Sequence, residues 1–589
     1  MIWKICFIVS VAVFLSAISA AVILTNKEYR KRMMITPFHL FFGGVTLSSM
    51  CLFIPIYAKV FRGEDFYIWK ILLLSLHNTI RLFIVDGEFT IITENIVGLE
   101  TGFRNIYSLF SAVIFVIAPF LTFGVVLSFF KNISAYKNYL LSYFSEVYIF
   151  SELNEQSLEL ARSLKRNNKK RIIVFTDVFV KNEETSYELT ESARELGAIN
   201  FKKDITLINF GVHSKQKPIT FFITGEDDDE NIKQTLTLIA KYNDRESTSL
   251  YVFSTSINSE LLLNTTPKGK MKVRRVNMVK SLISRNLYDD GAKIFENAVA
   301  YDKDEKLISA VVVGLGKHGT EMARTLPWFC QMTGYRFVMN AFDQDKKADS
   351  CFRASCPELM DQEHNGNFNN KFEARYQIDV HSKMDIETEE FWNTMKQIER
   401  VTYVFVALGD DEKNISAAVR LRSWFEKRGL HPQIDAIVYN SDKKEALTEI
   451  TNYSGQPYDI NFIGDMHSSY SEEVILHSEI EEIALQRHLK WGKEEEFWKY
   501  EYNYRSSIAS AIHKKMRIIC GIPGAEKLIK DRTEEEKKVL RNLEHSRWNA
   551  YMRADGFTCS KVRNNLAKTH PSLIPFDKLP KKEQEKDDD

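Results

Sequence analysis

Long uncharged runs constrain this chain most: residues 5–24 and 106–130 hold no Asp, Glu, Lys or Arg over 20 and 25 positions. A helix rises 1.5 Å per residue, so either run crosses a hydrocarbon layer about 30 Å thick. Residues 36–58 are also uncharged, with Pro37 and Pro55 near the ends, where a break in helical hydrogen bonding costs least. All three read as spanning helices. A cleavable signal peptide competes for the first run, because Lys4 precedes it and Ser19 and Ala20 are small. The apolar stretch continues through Leu24, beyond a usual signal core.

Residues 66–85 are apolar but carry Lys70, His77, Asn78 and Arg81. Positions 70, 77 and 81 fall on one helical face, which predicts a polar stripe facing a watery path or a partner helix. An amphipathic helix lying on the membrane surface is the competing reading. Lys27, Arg30, Lys31 and Arg32 follow the first run and place that loop in the cytoplasm by the positive-inside tendency. A cytoplasmic polar region then requires three spans with 66–85 re-entrant or interfacial, or four spans with the basic loop outside. No Thr-Val-Gly-Tyr-Gly string, the signature of a carbonyl-lined potassium filter, occurs.

The 589 residues exceed what one core organises and predict three or four units. Lys plus Arg and Asp plus Glu are both 78, and this neutrality argues against a dedicated nucleic-acid duplex binder. The seven scattered cysteines include no Cys-x-x-Cys, so neither zinc nor a disulfide framework is indicated.

After a linker at 131–145, apolar runs alternate with amphipathic helices, the pattern of doubly wound α/β units. In the first unit, 146–300, strands are predicted at 147–150, 172–175, 220–223 and 250–253. Its first strand-to-helix loop, Ser151-Glu152-Leu153-Asn154-Glu155-Gln156, has no glycine, and Glu152 would repel a pyrophosphate. The second unit, 301–478, places strands at 310–313, 337–341, 401–407 and 435–439. Its loop holds Gly314, Gly316 and Gly319, and Asp343 follows the second strand, where an acid can accept ribose hydroxyls. Gly225-Glu226-Asp227-Asp228 and Gly409-Asp410-Asp411-Glu412 follow equivalent strands, matching Asn231 to Asn414 and implying an internal duplication.

Over 146–470 the chain resembles the RCK/TrkA-N family, whose paired Rossmann domains regulate channels and transporters by binding nucleotides or ions. The resemblance implies a nucleotide held by Gly314, Gly316, Gly319 and Asp343. In the first copy only Asp177 carries over. It also implies a homo-oligomer, with a tetramer expected.

From about 479 the pattern turns helical and aromatic. Leu543-Glu544-His545-Ser546-Arg547-Trp548-Asn549-Ala550-Tyr551, with His570-Pro571 and Glu585-Lys586-Asp587, resembles the ryanodine receptor repeat (RyR) domain over 494–589. Glu544, Arg547, Trp548 and Tyr551 share a helical face on which an arginine can clasp an anion and aromatic rings can stack on a base, with His545 beside them. A purely structural role, Arg547 pairing with Glu544 and Trp548 packing inward, is the competing reading. Tyr504 and Arg505 are secondary ligand candidates.

The expected architecture is an α-helical transmembrane domain over 1–130, two Rossmann-like α/β domains and a small helical RyR-like domain over 479–589. The expected protein is a multi-pass inner-membrane channel or permeabilising effector with cytoplasmic domains, gated by a nucleotide or nucleotide-derived second messenger. Bacterial antiphage signalling is one setting for it. A membrane-bound NAD-dependent oxidoreductase and a non-conducting regulatory subunit of a transporter are the alternatives, although no catalytic constellation is evident. The expected partners are the lipid bilayer and the small nucleotide-type ligand.

Overall fold

A computed structural model describes residues 1–23, 37–177, 183–213, 217–366, 375–448, 458–476 and 478–587. The chain divides into two compact units, Met1–Asn138 and Tyr139–Asp589. Lys27, Arg30, Lys31 and Arg32, on which the charge-based orientation depends, lie outside the described residues.

The first unit is helical: α1 (Ile2–Ile23), α2 (Pro37–Val60), α3 (Tyr67–Phe83), α4 (Phe89–Asn95) and α5 (Thr101–Leu141). Among the described residues three helical stretches are long and apolar enough to cross a membrane, Ile2–Ala20, Phe41–Val60 and Thr101–Thr122. Small residues bring α1 and α2 together. The Ser10 hydroxyl donates to the Ser48 carbonyl at 2.8 Å, and the Ser48 hydroxyl donates to the Ser10 carbonyl at 3.1 Å. A Cβ added to Gly44 would sit 2.1 Å from that of Ala17. Without water between apolar helices, close backbone approach and such polar contacts hold them together. The helix α5 runs on to Leu141, so most of the segment expected as a linker is helical.

The second unit contains two sheets of the same parallel order. In the first, β1 (Val147–Phe150), β2 (Ile172–Phe175), β3 (Ile199–Asn200), β4 (Ile219–Ile223), β5 (Thr248–Phe253) and β6 (Lys272–Val276) lie in the order β3-β2-β1-β4-β5-β6. In the second, a short β7 (Val299–Ala300) pairs antiparallel with β8 (Lys306–Val313). The rest, β9 (Tyr335–Asp343), β10 (Tyr376–Ser382), β11 (Tyr403–Val406), β12 (Gln433–Ile437) and β13 (Ile460–Ile463), give β10-β9-β8-β11-β12-β13. This is the Rossmann order, and it places the ligand crevice at the carboxyl ends of the central strands. The central strands are buried on both faces, which is why they read as unbroken apolar runs.

Helices of the sheets include α6 (Glu155–Asn167), α7 (Asp228–Tyr242), α8 (Met278–Asp290), α9 (Lys317–Phe329) and α10 (Asp411–Glu426). Then come α11 (Glu479–His488), α12 (Glu501–Ile519) and α13 (Glu534–Ala554). The last three do not form a core of their own. Ile512, Met516, Leu543 and Met552 join Met322, Leu326 and Met339 in one buried cluster, so the C-terminal helices and the second sheet share a core. The segment after β13 returns to the first sheet, where Tyr470 stacks on Phe253 with ring centroids 5.9 Å apart and Glu472 pairs with Arg171 at 2.5 Å.

Candidate functional site

The three loop glycines of the second sheet have separate physical reasons. Gly314 has φ +90°, and a Cβ there would meet the Ala407 carbonyl oxygen at 2.4 Å. A Cβ on Gly319 would meet the Gly314 oxygen at 1.7 Å, so this glycine lets α9 pack on the loop. Gly316 differs: nothing lies within 4 Å of its added Cβ. It is the N-cap of α9, and among the described residues no side chain caps the helix. The first amides of a helix have no partner within it, and here Gly316, Lys317 and His318 border a cleft with the positive end of the helix dipole behind them. That is the geometry that receives a phosphate.

Asp343 sits at the end of β9. Its Oδ2 accepts the Leu315 N–H at 2.6 Å and its Oδ1 accepts the Asp345 N–H at 2.7 Å. The acid thus braces the glycine loop in addition to facing the cleft. The cleft measures about 660 Å³ and is bordered by Gly314, Gly316, Asp343 and Tyr439. His318 lies inside it with the Tyr439 hydroxyl 3.2 Å from Nδ1. Burial, with Lys317 beside it, pushes His318 down to about 4, so its ring is neutral at physiological pH.

The equivalent loop of the first sheet is closed. Asn154 caps α6 by accepting the Ser157 N–H at 2.8 Å, the Ser157 hydroxyl accepts the Asn154 N–H at 2.9 Å, and the Asn154 amide donates to the Thr224 carbonyl at 2.9 Å. These bonds occupy donors that a phosphate would need. Asp177, at the end of the second strand, adopts a left-handed backbone with φ 45°.

Beyond the loops, the two sheets repeat one device. Asn231 donates to the carbonyls of Gly225 at 2.7 Å and Phe253 at 3.0 Å. Asn414 accepts the Leu408 N–H at 2.6 Å and donates to the Ile437 carbonyl at 2.9 Å. Each buried asparagine ties the loop after the fourth strand to the end of the fifth. Asp227 and Asp410 cap α7 and α10 in matching positions.

The C-terminal candidates divide between two places. Glu544, His545, Arg547 and Trp548 line one cavity of about 830 Å³. Tyr551 faces another, of about 400 Å³, together with Tyr504 and Arg505. The single face expected from helical spacing is therefore split. Arg547 pairs with Glu544 at 2.7 Å, as the structural reading anticipates. That carboxylate also takes the Arg517 guanidinium and the Ser510 hydroxyl, and Ser510 in turn accepts from Arg487 at 2.6 Å. Burial alone would raise Glu544, but Arg547, Arg517 and Arg487 hold it well below the usual carboxylate range. Sequence reasoning missed Arg487, Ser510 and Arg517, because they come from two other helices and share no spacing with Glu544.

Tyr504 and Arg505 are committed to internal bonds. Arg274 donates to the Tyr504 hydroxyl at 2.6 Å, and Arg505 reaches Glu260 at 2.8 Å and Asp555 at 3.1 Å. Burial opposes the charge on Asp555, yet Arg505 and its neighbours hold the carboxyl down to about 2.

The membrane-face candidates do not converge. Lys70 pairs with Glu64 at 2.6 Å in an exposed position, and His77 is exposed. Asn78 turns inward and donates to the Tyr57 hydroxyl. Arg81 is bound by Asp86 and Glu88, each at 2.9 Å. The helix α3 buries Ser75, Asn78 and Thr79 together with Ile71, Leu82 and Phe83, and exposes Ile68, Leu73, Leu76 and Ile80 beside Lys70 and His77, so polar and apolar side chains mix on both of its faces.

Taken together, these features define a chain with three candidate membrane helices followed by two Rossmann-like α/β sheets. No protein-family model matches it, and no curated protein matches its sequence.

Proposed function

We propose that this chain is a ligand-gated membrane effector in which the glycine-loop cleft of the second sheet binds a nucleotide-type ligand and the apolar helices provide the output. The observation that carries the reading is the uncapped start of α9, with Gly316 facing open space and Asp343 beside it. The pyrophosphate would rest on the amides of the loop, and the Asp343 carboxylate would take the ribose hydroxyls. Finer assignments follow from resemblance: the sheets as an RCK/TrkA-N pair, the C-terminal helices as a RyR-like module, a homotetrameric assembly in a bacterial inner membrane, and membrane permeabilisation as an antiphage response. Gating energy would come from tighter ligand binding to one of two states of the helices.

The test uses the full chain in dye-loaded liposomes with ADP as the probe. Nucleotide-dependent leakage in the native protein, lost in Gly316→Asp, supports the reading. Leakage that ignores ADP and the substitution alike contradicts it. Turnover of a nicotinamide cofactor would instead favour the oxidoreductase, and a co-purifying protein with its own pore would favour the regulatory subunit.

A further inference from the structure

The cavity beside α13 holds more positive charge than its own carboxylates neutralise. Arg487, Lys490, Arg547, Arg563, Lys582 and Lys586 line it, against Glu544, Glu583, Glu585 and Asp587. At its inner wall the imbalance is sharper. Arg547 and Arg517 both bind the one carboxylate of Glu544, and Arg487 reaches it through Ser510. Arg547 is 1% exposed, and its Nη1 has no hydrogen-bond partner among the described residues. The buried Ser507 hydroxyl, also on this cavity, lacks one too. A buried guanidinium nitrogen without an acceptor is costly unless a ligand supplies one.

Flat rings stand beside these cations. Trp548 is half-buried, and its ring meets His570 edge-on at 4.9 Å. Trp491 lies on the same cavity, 53% exposed. At about 830 Å³ the space suits a ligand of nucleotide size. One acid already occupies part of it. Asp587 is held with its Oδ2 3.4 Å from His545 Nδ1; burial raises its carboxyl above the usual carboxylate range and Glu544 adds to this, while His545 and Arg547 pull the other way.

From this arrangement we infer that the cavity is a second ligand site, separate from the glycine-loop cleft, for a molecule carrying a phosphate or pyrophosphate on a flat ring system, and that the Asp587 carboxylate occupies the anion position until the ligand displaces it. The ligand phosphate accepts from Arg547 and Arg563, and the ring lies against Trp548. The site stands on its own geometry and does not depend on the glycine loop.

Calorimetric titration of the detergent-solubilised full chain with ADP tests it, because the two sites separate in stoichiometry. We expect two ADP per chain in the native protein and one in Gly316→Asp. In that background adenosine should bind at least about tenfold more weakly than ADP, since charge-assisted contacts are missing. Asp587→Asn should tighten ADP by about threefold, and Arg563→Glu with Lys582→Glu, both on exposed positions, should weaken it by about tenfold or more. No ADP bound to Gly316→Asp, equal affinity for adenosine and ADP, or indifference to the Asp587 and Arg563/Lys582 substitutions would each overturn the inference. One ADP in the native chain and none in Gly316→Asp would leave the glycine-loop reading intact while removing this one. One ADP in both would do the reverse.

Discussion

The two sheets of the second unit share strand order, the capping aspartates Asp227 and Asp410, and the clamps Asn231 and Asn414, yet their first strand-to-helix loops are opposites. One loop consumes its own donors through Asn154 and Ser157, and the other leaves the start of α9 uncapped. The shared features sit where backbone ends must be tied whatever the sheet binds. The divergent feature sits where only a ligand has need of open amides. A Rossmann sheet can thus keep its architecture while its crevice closes, because the fold depends on buried strands and clamps and the site depends on a few residues.

The comparison breaks most easily at Gly316. Its added Cβ meets nothing, so Gly316→Asp should leave thermal stability nearly unchanged while the new carboxylate repels phosphate and lowers ADP affinity by about a hundredfold, read by calorimetry. A fall in Tm with unchanged affinity would reverse the assignment. The clamps test equivalence: Asn231→Ala and Asn414→Ala each remove two hydrogen bonds at buried positions, and each should cost about 2 kcal/mol in chemical denaturation. Damage confined to one sheet would mean that the duplication is only topological.

A smaller effect separates the two roles of Asp343. Asp343→Asn keeps an acceptor for the Leu315 amide but weakens the ribose contact, so ADP should bind about tenfold more weakly with the loop intact. In the first sheet Asn154→Ala removes the α6 cap, should cost about 1 kcal/mol, and should create no ADP site. Appearance of a new site there would show that the cap alone closes the crevice.

The central four strands of each sheet were legible in the sequence because burial on both faces makes them apolar throughout. Of the strands that escaped, β3, β6, β10 and β13 end the two parallel orders, and β7 is a two-residue strand too short to read. Lys272, Arg274 and Arg275 in β6, and Gln377, Asp379 and His381 in β10, break the apolar pattern because an edge strand needs less burial. The glycine loop and Asp343 were legible because both lie in one short strand-loop-helix stretch and at the end of the next strand, where residue type alone marks them. The C-terminal cavity was only half visible. Glu544, Arg547 and Trp548 lie on one helix, but Arg487 and Arg517, which converge on the Glu544 carboxylate with Arg547, come from α11 and α12 and meet them only through folding. The mixed surface of α3 was likewise hidden, since its polar positions pair individually with Glu64, Tyr57 and Asp86.

Amide hydrogen exchange with and without saturating ADP tests the asymmetry most directly. The account predicts new protection at residues 316–319 and none at 152–157. Protection at 152–157, or its absence at 316–319, would contradict it.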